Sequence, residues 1–513
     1  MPTSTQENNK RIAKNTLMLY FRMILLMLIS LYTSRVNLNA LGVEDYGIYN
    51  VVGGVVAMFA ILSGSLSAAI SRFITFELGR GDQQRLSNVF SASVTIQFLL
   101  ALLIIVLFES IGLWFLNTRL VIPAPRMQAA NWVFQFSVLT FVINLISVPY
   151  NACIIAHERM SAFAYISILE AVGKLFVAYL ITRTSVDRLI LYAGLLCVIA
   201  VLVRIVYGWY CTRHFQECHY HFHWDAQLLK QMFSFSGWNF IGSASAILRD
   251  QGGNICINLF FGPAVNAARG IAFQVNHVIL GFVQNFMTAL NPQITKSYAS
   301  GRNDYMMSLL FLGARFSFYI LLLLALPVIV STHYILVIWL KMVPEHTVSF
   351  IQLTLLFALS EALSQPLVTA MLATGRIRDY QLIVGGLQML NLPISYLLLR
   401  LGCAPESVFI TAVALSQCCL AARLIMLRGM IGLPVRGYLR RVYLNTLLVA
   451  ILSALIPLAV RQGLTENPLN FIWLTLLSLA CTALAILFAG CSPGERLQVR
   501  AYALKAYNRL LKR

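Results

Sequence analysis

Acidic residues are scarce in this chain: 19 aspartates and glutamates stand against 38 lysines and arginines in 513 residues, a formal net charge of +19. Charge of either sign is scarce as well, at 11% of residues against 59% hydrophobic, and the mean hydropathy is +0.76. A membrane span takes roughly 20 apolar residues, so spans and short loops use up the length and leave no room for a folded domain outside the bilayer. The ten cysteines contain no C-x-x-C pair and sit mostly in apolar runs. There a thiol behaves as a small hydrophobe, and no disulfide framework is implied. No G-x-S-x-G, Walker loop or H-E-x-x-H occurs, which removes the sequence basis for a hydrolase, an ATP-driven pump or a resident cofactor. Energy for any transport then comes from an ion gradient, the membrane potential or the cargo gradient.

What is present is a chain of long apolar runs. The excess of cations lies in short loops and not on one soluble face, as the positive-inside rule predicts, so no nucleic-acid partner is expected. Lys10, Arg11 and Lys14 precede the first run, which is longer than a signal peptide, carries Arg22 inside it and lacks a small-residue cleavage site. It reads as a retained first span. The runs predict an all-α polytopic membrane protein of about 14 transmembrane helices, from residues 14–40 to 468–490, arranged as two six-helix pseudo-symmetric bundles plus a C-terminal helix pair. With an even count, the loops holding Arg80, Arg85, Arg159, Arg213, Arg302 and Arg376 share a side with both termini, while the opposite loops are poorer in cations. Both termini are therefore expected in the cytoplasm.

A shift of 220 residues places Gly42 on Gly262, Ala69 on Ala289, Thr75 on Thr295 and Gly81 on Gly301 without a gap. Such a parallel repeat is used by several transporter families. The organisation expected is an N-terminal bundle over 1–213, a cytoplasmic linker over 214–231, a C-terminal bundle over 232–430, an extra pair over 431–492 and a basic amphipathic tail over 493–513. Leu504, Tyr507 and Leu511 share one side of the tail and Lys505, Arg509 and Lys512 the other, a pattern suited to the anionic cytoplasmic leaflet.

Nine lysines and arginines fall inside spans: Arg22, Arg35, Arg72, Lys174, Arg204, Arg249, Arg269, Arg315 and Arg423. A charge at the bilayer centre costs on the order of 2.5–3.5 kcal/mol on insertion scales, so a chain retains one where it meets water, a partner or a ligand. Arg35, Arg72, Arg204 and Arg423 are close enough to span ends to snorkel. Arg22, Lys174, Arg249, Arg269 and Arg315 are the candidates for an anionic cargo. Lys174 has a second reading as the partner of Glu170 one turn earlier. The clear intramembrane acids, Glu170, Asp250 and Glu361, are candidates for ion coupling by a proton or sodium. The seventh span, 232–260, carries Asn239, Ser243, Asp250, Asn254 and Asn258 within a sector of about 100°. The eighth, 264–292, adds Asn266, Arg269, His277 and Gln284, and the second, 45–76, adds Tyr46, Tyr49 and Asn50. Such stripes either line a cavity or glue helices together.

The segment CTRHFQECHYHFH gathers Cys211, His214, Cys218, His219, His221 and His223, but its spacing fits no standard zinc site, and no metal is expected. Tyr220, Phe222 and Trp224 in the same stretch suit a membrane interface.

The run from Thr16 to Asp82, and above all the L-G-x-x-x-Y-G-x-Y portion from Leu41 to Tyr49 with the glycines and serines after it, resembles the N-terminus of Wzx-type polysaccharide (O-antigen and capsule) flippases of the multidrug/oligosaccharidyl-lipid/polysaccharide exporter superfamily. It is similar in particular to Bacteroides-type lipopolysaccharide biosynthesis proteins. The resemblance implies an inner-membrane transporter that flips undecaprenyl-diphosphate-linked oligosaccharide to the periplasmic leaflet by alternating access, beside polysaccharide polymerase machinery. In the superfamily, lipid II flippases use first-span arginines in a cationic cavity, to which Arg22 and Arg249 are the nearest counterparts, whereas drug exporters rely on intramembrane acids. Arg22, Lys174, Asn239, Arg249, Asn254, Arg269, His277 and Arg315 are thus the expected substrate-binding residues, and Glu170, Asp250 and Glu361 the coupling acids. The alternatives are an ion-coupled multidrug or metabolite exporter of the same fold and, against the shortness of the outer loops, a membrane glycan polymerase.

Overall fold

A computed structural model describes residues 5–57, 60–118, 122–184, 186–222, 224–340 and 343–496. Among them the chain is helical throughout: α1 (Thr5–Ala57), α2 (Ala60–Arg80), α3 (Gln83–Leu107), α4 (Leu113–Thr118), α5 (Met127–Ala156), α6 (Met160–Leu180), α7 (Arg188–His214), α8 (Ala226–Ala299), α9 (Asn303–Val330), α10 (Thr332–Leu340), α11 (Thr347–Thr374), α12 (Arg378–Met389), α13 (Asn391–Arg400), α14 (Ser407–Ile431), α15 (Val435–Tyr438), α16 (Leu444–Arg461) and α17 (Pro468–Ala485). Helix is what lipid demands, because each backbone amide and carbonyl must be satisfied within its own segment.

Eleven of the described helical segments are long and apolar enough to cross a membrane. They coincide with eleven of the fourteen expected spans. The other three, the second, seventh and eighth, are those whose polar stripes stood out in the sequence, and they too lie in helix, within α1, α2 and α8. Exposed Leu99, Leu102, Leu103, Val106, Ile111 and Trp114 on successive turns of one segment need lipid to cover them. This is a multi-pass membrane protein. The basic tail beyond Arg496 and the side chain of Arg35 lie outside the described residues.

Helix ends follow their chemistry. Asp82, Asp187, Asp225 and Asn467 cap α3, α7, α8 and α17, each side chain accepting from a backbone N–H of the first turn. α12 and α13 meet at Leu390, where Pro393 has no N–H to return to Met389. Pro149, Pro327 and Pro366 sit inside continuous helices.

Two long helices bend at one residue each: Gly42 in α1 (φ 80°, ψ 169°) and Gly262 in α8 (φ 77°, ψ −175°). This corner of backbone space is open essentially to glycine alone. The two are partners under the 220-residue shift, as are Gly81 (φ 79°) and Gly301 (φ 69°), which precede α3 and α9. The first pair therefore shares its backbone conformation, and the second its positive φ, as well as the residue type.

The chain packs as two compact units, Met1–Ser243 with Thr288–Arg302, and Ala244–Met287 with Asn303–Arg513. α8 runs from the first into the second and back. In the first unit α5 packs on α1, α2, α3 and α7, and α1 on α6. Its core joins Ile48 and Val52 of α1 with Val133, Phe134 and Val138 of α5 and Leu189 and Ala193 of α7. In the second, α11 packs on α9 and α14, and α16 on α17. α9 and α11 are the most buried candidate spans and α17 the least.

Candidate functional site

The first unit encloses a cavity of about 420 Å³. Along the first limb of α1, Arg22, Leu26, Ile29, Ser30, Thr33 and Asn37 recur at three- and four-residue intervals and so share one helical face. Past the Gly42 elbow, Tyr46 and Tyr49 return to the same space. α6 adds Ser167, Glu170 and Lys174, and α7 adds Tyr192. An adjoining cavity of about 330 Å³ shares Tyr49, Glu170, Lys174 and Leu196 and extends the lining along α5 through Phe136, Ser137, Thr140 and Asn144.

Cations outnumber acids two to one in the larger cavity. Lys174 Nζ lies 2.6 Å from Glu170 Oε1, so the i,i+4 partnership legible in the sequence is made. Arg22 has no such counter-charge in contact: its guanidinium lies 4.3 Å from the centre of the Phe163 ring, and its Nε has no hydrogen-bond partner among the described residues. Asn37 Nδ2 donates to Tyr192 Oη at 2.7 Å, while Asn37 Oδ1 and Thr33 Oγ1 are buried without partners among the described residues. Buried polar atoms left in this state cost about 1–3 kcal/mol each. The wall thus carries two of them beside an arginine whose Nε is also unpartnered, with the guanidinium suited to an anionic acceptor and the Asn37 oxygen to a donor such as a hydroxyl. Tyr49 and Tyr192 meet edge to face at 4.9 Å between ring centres and present aromatic surface beside it.

Two charged clusters brace this unit. Arg126 lies between two carboxylates, with Nε 2.8 Å from Asp45 Oδ1 and Nη1 2.7 Å from Asp187 Oδ2, and so ties the Gly42 elbow to the start of α7. Asp187 is held below the ordinary carboxylate range: partial burial opposes this, and the Arg126 hydrogen bond with the α7 N-terminal amides outweighs it. Glu158, between α5 and α6, adopts a left-handed backbone (φ 59°), and its side chain is 1% exposed. It receives Arg11 Nε at 2.8 Å, Lys296 Nζ at 2.8 Å and Gln293 Nε2 at 2.6 Å, while its carbonyl accepts from Asn15 Nδ2.

The second unit holds Arg249, Asp250 and Arg269 of α8. Arg249 Nε pairs with Asp250 Oδ1 at 2.9 Å and faces the Phe357 ring at 4.9 Å. Beyond the Gly262 elbow, Arg269 returns to donate to the Asp250 carbonyl and lies 4.1 Å from the Phe273 ring centre. Asn254 approaches Gln251, and His277 is exposed. Glu361 lies 3.7 Å from Arg423. Arg423 is 2% exposed, so it does not snorkel as its position near a span end suggested. Arg72 and Arg204 likewise settle on aromatic faces, Arg72 on Phe76 at 4.5 Å and Arg204 on Tyr150 at 3.9 Å.

Of the expected substrate residues, Arg22 and Lys174 thus share one cavity, with Glu170 beside them. Asn239 donates to the Ser65 carbonyl, a helix-packing contact within the first unit. Arg315 turns to the C-terminal pair, with Nη2 2.6 Å from Glu495. Thr33, Asn37 and Tyr192 were not anticipated, although the α1 pair follows Arg22 at helical spacing.

The cysteine- and histidine-rich segment disperses. His214 bonds the Tyr210 carbonyl and His221 bonds Ser91 and Asn88, while His223 lies outside the described residues. Cys218 instead meets Cys153 of α5 and Glu217, their ligand atoms within 4.8 Å of one another. Both Glu217 oxygens are already taken, by His157 at 2.5 Å and Gln83 at 3.2 Å, so a metal ion there would have to displace them.

Residues 12–298 match a family model described as "Polysaccharide biosynthesis protein". Solved structures of similar fold include one described as MATE in the bent conformation (TM-score 0.72, 12% identity, 83% of this chain and 96% of that one) and an outward-facing multidrug resistance MATE family transporter of the MOP superfamily (0.71, 13%, 83% and 96%). A third, from Pyrococcus furiosus, is a MOP superfamily transporter described as having a binding pocket of reverse polarity suggesting a different function (0.67, 13%, 82% and 96%). No curated relative matches the sequence.

Proposed function

We propose that this chain, which belongs to the polysaccharide biosynthesis protein family and is a membrane transporter of the MOP superfamily, flips an oligosaccharide linked to undecaprenyl diphosphate from the cytoplasmic to the periplasmic leaflet. The observation that carries the reading is Arg22: an arginine deep in the first span, on the wall of a polar cavity, without a carboxylate in contact among the described residues. A diphosphate bears several charged acceptors, and a guanidinium meets them in a fork geometry that an ammonium lacks. Lys174 is released to the same anion when Glu170 takes up a proton or exchanges partners. Tyr46, Tyr49 and Tyr192 offer surface to sugars. An excess of cations is also the opposite of what export of cationic drugs requires.

In this account the protein sits in the bacterial inner membrane with both termini in the cytoplasm, works by alternating access between halves spanning 1–213 and 232–430, and hands its product to polymerase machinery. Arg249, Asn254, Arg269 and His277 serve the cargo from the second half. Asp250 and Glu361, each beside an arginine, couple movement to protons or sodium. The test is reconstitution into sealed liposomes carrying a fluorescent undecaprenyl-diphosphate oligosaccharide in both leaflets, followed by an impermeant quencher outside. Signal loss well beyond the outer-leaflet share is expected. A plateau at that share in vesicles of proven activity toward a cationic dye would move the assignment to drug export.

A further inference from the structure

The second unit has a cavity of about 610 Å³ that shares no residue with the Arg249–Asp250–Arg269 cluster. Its walls are the early turns of α9, the turn leading into α16 and the end of α17. Both of the latter are π-helical, over Leu439–Tyr443 and Ile486–Gly490. The second of these turns ends its helix, and the last carbonyls of a helix have no donor within it. Here those carbonyls are taken from the side: Phe488 by Arg496, Ala489 by Asn445 at 2.8 Å, and Gly490 by Arg315 at 3.1 Å and Tyr319 at 3.2 Å. The cavity wall is therefore cross-braced before anything binds.

Its charge is unbalanced. Three arginines, Arg315, Arg440 and Arg441, face one acid, Glu495, a net of +2. That acid is fully engaged by Arg315 at 2.6 Å and the Ser492 amide at 2.7 Å. Burial alone would raise its proton affinity, but these contacts hold it below the ordinary carboxylate range, so it stays charged and committed to Arg315. Arg440 and Arg441 are exposed and make no ion pair or side-chain hydrogen bond among the described residues. Two adjacent guanidiniums offer bidentate donors to a phosphate. Leu439, Leu444 and Phe488 beside them are 41%, 56% and 65% exposed, an apolar rim suited to acyl chains.

We propose that this pocket binds a phosphate-bearing anion, the headgroup of an anionic membrane lipid, through Arg440 and Arg441. Basic pockets between helices at a membrane edge hold such headgroups by charge, with the chains lying along the neighbouring apolar surface. The site does not depend on the transport reading, since neither Arg22 nor the first-unit cavity takes part.

The experiment is native mass spectrometry of the full-length protein in micelles titrated with phosphatidylglycerol, with phosphatidylethanolamine, and with inorganic phosphate alone. Phosphatidylglycerol is expected to bind at least tenfold more tightly than phosphatidylethanolamine. The double variant Arg440→Gln/Arg441→Gln should lose that preference, while Arg440→Lys/Arg441→Lys retains part of it. Arg376→Gln/Arg428→Gln, which removes the same charge from exposed sites elsewhere, should bind as the native protein does. Saturable phosphate binding that depends on Arg440 and Arg441, without preference for the lipid, would keep the anion site and assign it to a soluble phosphate. Equal lipid binding by the native protein and the Arg440→Gln/Arg441→Gln variant, or equal loss in the charge-matched control, would overturn the proposal.

Discussion

Glu158 fixes both ends of the cavity frame: it precedes α6, which carries Glu170 and Lys174, and holds Arg11 of α1 eleven residues before Arg22. Replacing it by glutamine keeps the shape and removes the charge. The Arg11 pair is 44% exposed on the arginine side, so its loss costs about 0.2–1 kcal/mol at most. Lys296 is different: its side chain is 18% exposed and bonded at 2.8 Å to a carboxylate that is 1% exposed. A hydrogen bond to a charged group contributes about 1.5–3 kcal/mol, and a buried cation left without its partner raises the cost of Glu158→Gln to about 3 kcal/mol. Lys296→Met in the Glu158→Gln background removes the stranded charge and should return about half of that loss. The assay is equilibrium unfolding in mixed micelles of dodecyl sulfate and maltoside for the two single variants and the double variant. A coupling near 2 kcal/mol is expected; effects that add within about 0.5 kcal/mol would refute the buried-pair reasoning.

The glycine elbows give a second expectation. A Cβ at Gly42 or Gly262 would meet nothing within 4 Å, yet both have positive φ, so Gly42→Ala and Gly262→Ala should each destabilise by about 1–3 kcal/mol through backbone strain alone, measured in the same micelles. Gly79 is the contrasting case: a Cβ there would come within 2.8 Å of the Lys296 backbone, and Gly79→Val should lower folded yield by separating α2 from the end of α8. Asp187 supplies a pH dependence. Its carboxyl is depressed in the folded state, so its stabilisation is complete above the unfolded value of about 3.9 and disappears as pH falls through the lower folded one. The stability gap between native protein and Asp187→Asn should be constant from pH 5 to 7 and close below about pH 3.9; a gap that widens on acidification would contradict the Arg126 pairing.

Apolar runs of span length were enough to place the helices, because lipid leaves few alternatives to helix once a run is long enough. The Gly42–Gly262 pairing was legible for a similar reason: an elbow restricted to glycine leaves a glycine in both copies. The Glu170–Lys174 pair was legible because helical neighbours four residues apart must meet. Partners set by tertiary packing were not. Nothing local shows that Arg22 lies on a cavity wall while Arg315 closes on Glu495 180 residues away, and the place of Arg423 near a span end pointed to snorkelling although it is buried beside Glu361. Cys153 likewise meets Cys218 only because α5 passes beside the turn after α7.

The central claim is that the first-unit cavity takes an anionic headgroup through Arg22. Its most direct test is the initial rate of flipping in the sealed-liposome assay for the native protein, Arg22→Gln and Arg22→Lys at equal protein density. The account predicts at least a tenfold loss in Arg22→Gln, partial recovery in Arg22→Lys and unchanged folding in both. A native rate in Arg22→Gln would contradict it.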